Sequence, residues 1–397
     1  MSMQLAKRVL GISPSATLAM AALAKSMKAE GRPVIDLGLG EPDYPSPPFA
    51  AEAGIAAIRE GYTRYTPPGG SEELKAAIIE RIKMDAGLSY HPKEILVSCG
   101  AKHVLYHLAQ VLFEEGDEVI VPAPYWVSYP DQIRLNGATP VIVPTREADG
   151  FLLQPNVLRA AITPRTKAVI INDPANPTGA AYERSDLLAL AEVLTEASLW
   201  VISDEIYEKF LYDGGAHVSL ATLSETLKQK TIVVNGVSKS HAMTGWRIGY
   251  AAGPEEIIRA METVQSQSTS NPASISQRAA TAALRGGTAW TQAMVSEFEK
   301  RRDFVVSEIN RIPGLHCAKP AGSFYVFPNV TGLMGSKSQV QSAHDLSMYL
   351  LKEAGVVTVP GEPFGAPGYI RISYAATMET LIDGVARIRT AVFNLAT

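Results

Sequence analysis

The chain has 397 residues, enough for two domains around a large shared core. Hydrophobic residues make up 46% and charged residues 19%, a globular balance that excludes bulk disorder. With 36 basic against 40 acidic residues the formal charge is −4, so no general electrostatic case exists for nucleic acid or an anionic membrane. Any phosphate recognition must be local.

Taken in chain order, Met1–Leu10 carries Lys7 and Arg8, but no apolar signal core with a cleavage site follows. No apolar run reaches the ~18 residues of a membrane span. Cys99 and Cys317, the only cysteines, give no disulfide framework, and a reducing cytoplasm is expected. Ala16–Glu30 reads as a helix stopped by Gly31 and Pro33, and a second helix runs from about His103 to Phe113. Glu118–Val121, Pro140–Val143, Ala168–Asn172, Leu199–Ser203 and Thr231–Asn235 read as short, buried strands. Between them Ser185–Ala197 has helical spacing, with Ser185 as its cap. After Pro272 a long helical region runs to roughly Ile309. Strand–helix alternation implies an α/β fold with a mainly parallel sheet, its functional groups beyond the strands' C-terminal ends. The expected division is a large domain at about 48–285 and a small one from 1–47 and 286–397.

Five segments carry candidate chemistry. In Asn235–Ser240 (NGVSKS) a lysine just past a buried strand can lose solvation, which lowers its pKa and leaves an amine able to form a Schiff base. Ser238, with Arg247 further on, could hold a phosphate dianion. A Ser-Lys pair alone is also what a solvated surface lysine looks like. In Val201–Tyr207 (VISDEIY) a hydrophobic strand runs into Asp204, which could keep a pyridine nitrogen protonated or simply cap a following helix. In Asn172–Gly179 (NDPANPTG) two prolines and a glycine could fix the Asn176 amide, or only make a turn. Ser98–Lys102 precedes a helix whose first N–H groups suit a phosphate. Ala123–Trp126 offers an aromatic plate for a flat ring, though a buried Trp also serves core packing.

Together these pieces resemble the fold-type I, class I/II pyridoxal-phosphate aminotransferases over essentially the whole chain. The resemblance runs from Pro14–Thr17 (PSAT) and Gly40–Asp43 (GEPD) through Tyr65–Pro67 (YTP), Tyr125–Pro130 (YWVSYP) and Asn176–Gly179 (NPTG). It continues through Asp204–Tyr207 (DEIY), Ser238-Lys239 and Ala242–Tyr250 (AMTGWRIGY) to Arg371–Tyr374 (RISY). Several elements are similar to the bacterial aspartate aminotransferase subgroup called Iβ. The resemblance implies a mainly parallel seven-stranded sheet with one antiparallel strand, flanked by helices, beside a smaller α/β domain.

It also implies pyridoxal 5'-phosphate as cofactor, held by Lys239, which would then shuttle protons. Asp204 would pair with the ring nitrogen, Tyr207 and Asn176 with the phenolic oxygen, and Trp126 and Ile206 with the two ring faces. Ser238, Arg247 and the Ala101 and Lys102 amides would bind phosphate, with Tyr65 reaching in from a second subunit of a homodimer. Arg371, helped by Asn176 and the Gly40 backbone, would clamp the substrate α-carboxylate. No arginine lies in Thr263–Gln277, where other subgroups would bring one from the partner. The distal carboxylate would instead meet Lys102, with Ser15 and Thr17. The implied substrates are amino acids and 2-oxo acids, best aspartate or glutamate with 2-oxoglutarate or oxaloacetate. Asp173 departs from the small neutral residue common there and could weaken that acidic preference.

Aromatic or prephenate transamination, and a C–S β-lyase of the same fold, stay open. A ligand-sensing regulator is disfavoured, for no room for a DNA-binding module precedes Pro14. Residues 38–43 (GLGEPD) fail the dinucleotide pattern GxGxxG. His103 and His107 have metal-compatible spacing but lack the zincin Glu, and they read as packed histidines with no metal. Nothing marks Cys99 as a nucleophile.

Overall fold

The computed structural model describes residues 6–12, 16–335 and 339–396. Its core is a seven-stranded sheet of β1 (Ile95–Ser98), β2 (Glu118–Ala123), β3 (Thr139–Pro144), β4 (Thr166–Asn172), β5 (Trp200–Asp204), β6 (Thr231–Gly236) and β7 (Gly249–Ala252). Their spatial order is β1-β7-β6-β5-β4-β2-β3. Only β7 runs against the rest, antiparallel to both β1 and β6. Every residue of β1, β6 and β7 is buried, as expected of a sheet covered by helices on both faces.

This order decides where the chemistry gathers. The parallel strands release Ser98, Asn172, Asp204 and Gly236 at one edge. Because β7 is reversed, its first residue, Gly249, lies at that same edge, in register with Ser98 on one side and Gly236 on the other. The segment that enters β7, containing Arg247, is thereby delivered to the edge from the opposite direction.

A smaller antiparallel sheet joins Val359–Pro360, Ile370–Ser373 and Tyr325–Val326. Ile35–Asp36 pairs in parallel with Val356–Val357, tying the N-terminal segment to the C-terminal one. Leu37, Phe298, Phe324, Tyr325, Ile372 and Tyr374 pack in one buried cluster with Ile206, Tyr207 and Phe210, which follow β5. The smaller sheet is thus anchored on the segment leaving the larger one.

All five expected strands are present, within two residues of their sequence boundaries at each end. Three expectations are corrected. The helical region after Pro272 is two helices, Ser274–Arg285 and Ala289–Ile309. Gly287 takes φ +80°, and a Cβ on Gly286 would strike the Phe49 ring, so the Gly-Gly pair is a built break. Ser185 is not a cap: the helix starts at Arg184, and the Asp186 carboxylate accepts the Glu183 N–H at 3.0 Å. The helix expected from His103 begins two residues earlier, at Ala101, after Gly100 at φ +89°.

At Gly249 a Cβ would collide with the backbone nitrogen of Ala101, where no side-chain adjustment can relieve it. Gly249→Ala should therefore lose ~1–3 kcal/mol of stability or more, seen as a lower urea midpoint. An unchanged midpoint would show that strand and helix start are free to separate.

Candidate active site

A cavity of about 490 Å³ opens over this edge, between the two sheets. Lys239 lies just past β6, and its Nζ donates to the Gly40 carbonyl. Its pKa falls to about 8: burial lowers it most, Arg371 and Arg247 add to the fall, and Glu41 and Asp204 partly offset it. Asp204, the last residue of β5, is 4% exposed. The Tyr129 hydroxyl donates to its Oδ2 at 2.6 Å, and the Ile206 N–H to its Oδ1 at 3.3 Å. Burial raises its carboxyl to about 6, and those two donors hold it from rising further.

Arg371, on the middle strand of the smaller sheet, faces the edge from the other side. Its Nη1 donates to Asn176 Oδ1 at 2.9 Å and its Nη2 to the Gly38 carbonyl at 2.8 Å. The guanidinium lies 4.4 Å from the Tyr325 ring centroid and 5.1 Å from that of Phe364. Its buried Nε has no partner in the structure. Asn176 is held in turn by its own N–H, which donates to Asn172 Oδ1 at 2.9 Å, while Asn172 Nδ2 donates to the Asp204 carbonyl.

At the other end of the cavity, Arg247 donates to the carbonyls of Thr244 at 2.8 Å and Cys99 at 3.2 Å. The guanidinium crosses Gly100 so closely that a Cβ there would overlap it. It therefore sits beside the start of the helix Ala101–Leu112, whose first N–H groups have no intrahelical acceptor. Lys102 Nζ lies 4.9 Å from the Trp126 ring centroid, its pKa lowered by burial and then by Arg247.

Twelve residues singled out in the sequence line this one cavity: Gly40, Ala101, Lys102, Trp126, Asn176, Asp204, Ile206, Tyr207, Ser238, Lys239, Arg247 and Arg371. Tyr65 does not line it, and is 90% exposed in its own chain. Ser15 lies outside the described residues, as does the side chain of Thr17, whose backbone belongs to the helix Ala16–Ala29. Asp173 adds no charge to the cavity; its carboxylate accepts the Tyr182 N–H at 3.1 Å and faces His217. His103 and His107 pack ring against ring at 4.0 Å, with burial pushing His107 down to about 4. Burial raises the Cys99 thiol.

Sequence reading missed Tyr129, Asn172, Tyr325, Glu41 and Thr244, which also line the cavity. Tyr129 lay within a quoted segment, three residues after Trp126 and one helical turn away. Tyr325 had no local signal, because its two-residue strand is too short for any period. Its hydroxyl meets that of Tyr207 at 3.0 Å, and burial raises both phenols above their usual range.

A family profile described as aminotransferase class I and II matches residues 32–388. The chain belongs to that family. It is 51% identical to an aspartate aminotransferase of Geobacillus stearothermophilus, over 97% of this chain and 98% of the relative. It is 44% identical to an aspartate/prephenate aminotransferase of Nitrosomonas europaea, covering 97% and 99%. Among solved structures, the aspartate aminotransferase of Rhizobium meliloti superposes with a TM-score of 0.96 at 44% identity, covering 99% and 100%. The Thermus thermophilus enzyme with maleate gives 0.93 at 40%, covering 98% and 100%. The fold is therefore the fold-type I α/β architecture, and the chain is an aminotransferase that works with pyridoxal 5'-phosphate.

The residues present fit that cofactor. A buried carboxylate, a buried lysine of depressed pKa and an arginine beside an open helix start are the partners for a ring nitrogen, an aldehyde and a phosphate. Lys239 should titrate near pH 8 in the cofactor-free protein, about two units below an ordinary lysine. The pH dependence of its acylation rate, read by peptide mapping, checks this. A midpoint above 10 would mean that the amine is hydrated.

Proposed function

We propose that the chain exchanges amino groups between an acidic amino acid, aspartate or glutamate, and the 2-oxo acid of another. A surplus of cations in the cavity carries this reading. Arg371 suits the α-carboxylate that every amino acid has, and Arg247 suits the cofactor phosphate. Lys102 is then left over, at the Trp126 wall, for a second carboxylate. Ser15 and Thr17 would assist it. The relatives named for aspartate, and the Thermus structure holding the dicarboxylate maleate, support the same reading. Relatives named for aspartate and prephenate favour a second reading, in which prephenate is also accepted.

When bound, pyridoxal phosphate supplies an electrophilic carbon for the amine and an electron sink for charge developing at the substrate Cα. Lys239 would hold the cofactor, and its freed amine would take the Cα proton and return it one position away. Asp204, kept anionic by the Tyr129 hydroxyl, would face the ring nitrogen. Tyr207 and Asn176 would contact the phenolic oxygen, and Trp126 and Ile206 would flank the ring. Ser238, Arg247 and the Ala101 and Lys102 amides would seat the phosphate. Arg371 with Asn176 and Gly40 would fix the α-carboxylate. The donor's 2-oxo acid leaves before the acceptor enters. The large unit would span 48–285, the small one the remaining segments, and the setting would be the cytoplasm.

The two carboxylate partners separate experimentally. Lys102→Ala should lower kcat/KM for aspartate and glutamate far more than for alanine or phenylalanine, a selectivity change of ~1–3 kcal/mol. Arg371→Lys should hurt all four donors alike. An equal loss across donors in Lys102→Ala would remove the acidic assignment.

Exposed Tyr65 is proposed to complete the phosphate site of a partner subunit in a homodimer. Tyr65→Phe and Lys239→Ala chains, each impaired alone, should then form hybrid dimers with one intact site. Random mixing should restore about a quarter of wild-type activity. A fully active monomer in sedimentation would contradict this.

A further inference from the structure

On the far side of the same sheet edge lies a second charged cluster that transamination does not use. Asp173 and Glu205 directly follow Asn172 and Asp204, which pair across β4 and β5, and the Asp173 N–H donates to the Asp204 carbonyl at 3.1 Å. Successive side chains leave an extended chain on opposite faces. Asn172 and Asp204 therefore line the cavity, while Asp173 and Glu205 turn away from it. Both carboxylates are buried, at 4% and 3% exposure.

His217 sits between them. Its Nδ1 lies 3.6 Å from Asp173 and its Nε2 lies 3.1 Å from Glu205. Hydroxyls of Ser203 and Ser219 donate to the other Glu205 oxygen at 2.8 and 2.7 Å. Two buried carboxylates on adjoining strand ends repel unless a cation stands between them. Burial pushes the His217 pKa down, but Glu205, then Asp173 and Glu208, outweigh it and hold it up at about 9. The remaining charges facing the cluster are Lys209 and Asp85, paired at 2.6 Å, with Arg81 on Asp85 and Asp186 beyond Asp173. Donor atoms of Glu205, Glu208 and His217 lie within 4.8 Å of one another, but a protonated imidazole has no lone pair for a metal ion.

We propose that His217 is a positioning residue: its imidazolium clamps Asp173 to Glu205, and so holds the Asn176 loop in register with the strand end that presents Asp204. The inference rests on the roles given above to Asp204 and Asn176. The subgroup this chain resembles commonly has a small neutral residue in place of Asp173. Here the carboxylate and the cation that offsets it come together.

The test uses the full chain loaded with pyridoxal phosphate. Two quantities are read: the pH midpoint of the absorbance of the lysine-linked cofactor, and the cofactor dissociation constant. Losing the cation leaves excess negative charge behind Asp204. His217→Gln should therefore move the midpoint upward by about half a pH unit and weaken cofactor binding about tenfold. Asp173→Asn should change little, and the double variant should return both values toward wild type, since only one carboxylate then needs offsetting. A merely structural histidine would lower the melting temperature without moving the midpoint. The proposal is overturned if His217→Gln keeps both values, or if the double variant is as impaired as the single. Should His217→Gln not fold, Glu205→Gln reads the same bridge with opposite sign, a lower midpoint and weaker binding, and unmoved values there overturn it equally. Asp204→Asn separates the two levels. If it leaves the midpoint in place, the cofactor reading itself fails; if it moves the midpoint and His217→Gln does not, only this proposal fails.

Discussion

A buried ammonium is the constraint on which the rest of the structure depends. Lys239 must be dry enough to give up its proton well below the range of an ordinary lysine, yet a lysine without any acceptor would be prohibitively costly to bury. The Gly40 carbonyl provides that acceptor, and the same short segment provides another two residues earlier, where the Gly38 carbonyl takes Arg371. Residues 38–40 therefore bond to one cation from the larger sheet and one from the smaller. The N-terminal segment has to cross the cavity for either to be satisfied. Its parallel pairing with Val356–Val357 then follows as the anchor that keeps it there.

The Arg247 end of the cavity obeys a steric constraint instead of an electrostatic one. Arg247, Gly100 and Gly249 are packed so closely that neither glycine has room for a Cβ. This allows the start of a helix, a reversed strand and a guanidinium to share one corner, which concentrates positive potential in a chain of net charge −4. Reversing β7 achieves this without an arginine at a strand's C-terminal end. The sheet's single antiparallel strand is thus tied directly to the placement of Arg247 beside the helix start.

What the sequence made legible follows from the range over which each signal acts. The buried strands Ala168–Asn172 and Thr231–Asn235 announce themselves, because burial on both faces demands continuous apolar runs. The residues at their ends inherit their position from them, so Lys239, Asp204 and Asn176 could be placed together before any fold was seen. Tyr325 could not, since the two-residue strand carrying it is specified by packing against Tyr207 and Arg371, both distant in sequence. The helical region after Pro272 divides in two for a related reason. The Phe49 ring, more than two hundred residues away, leaves no room for a Cβ at Gly286, and Gly287 takes φ +80°. Ser185 is a reasonable cap by type, but the helix is capped two residues earlier, at Glu183, whose N–H the Asp186 carboxylate accepts.

Asp173 shows how strongly a period of two can redirect a charge. By sequence it lies three residues from Asn176, and its carboxylate was expected to bear on an acidic substrate. Extended geometry turns it to the opposite face from Asn172, where burial outweighs the nearby His217 and raises its pKa to about 6. A charge there lies behind Asp204 and Asn176, on the far side of the strand ends, and not among the groups that line the cavity. A shift of one residue along the strand would have put the carboxylate among the groups that line the cavity, where it would oppose Lys102 and Arg371. The cavity can keep its surplus of cations because the alternation of the strand sends this acid to the other side.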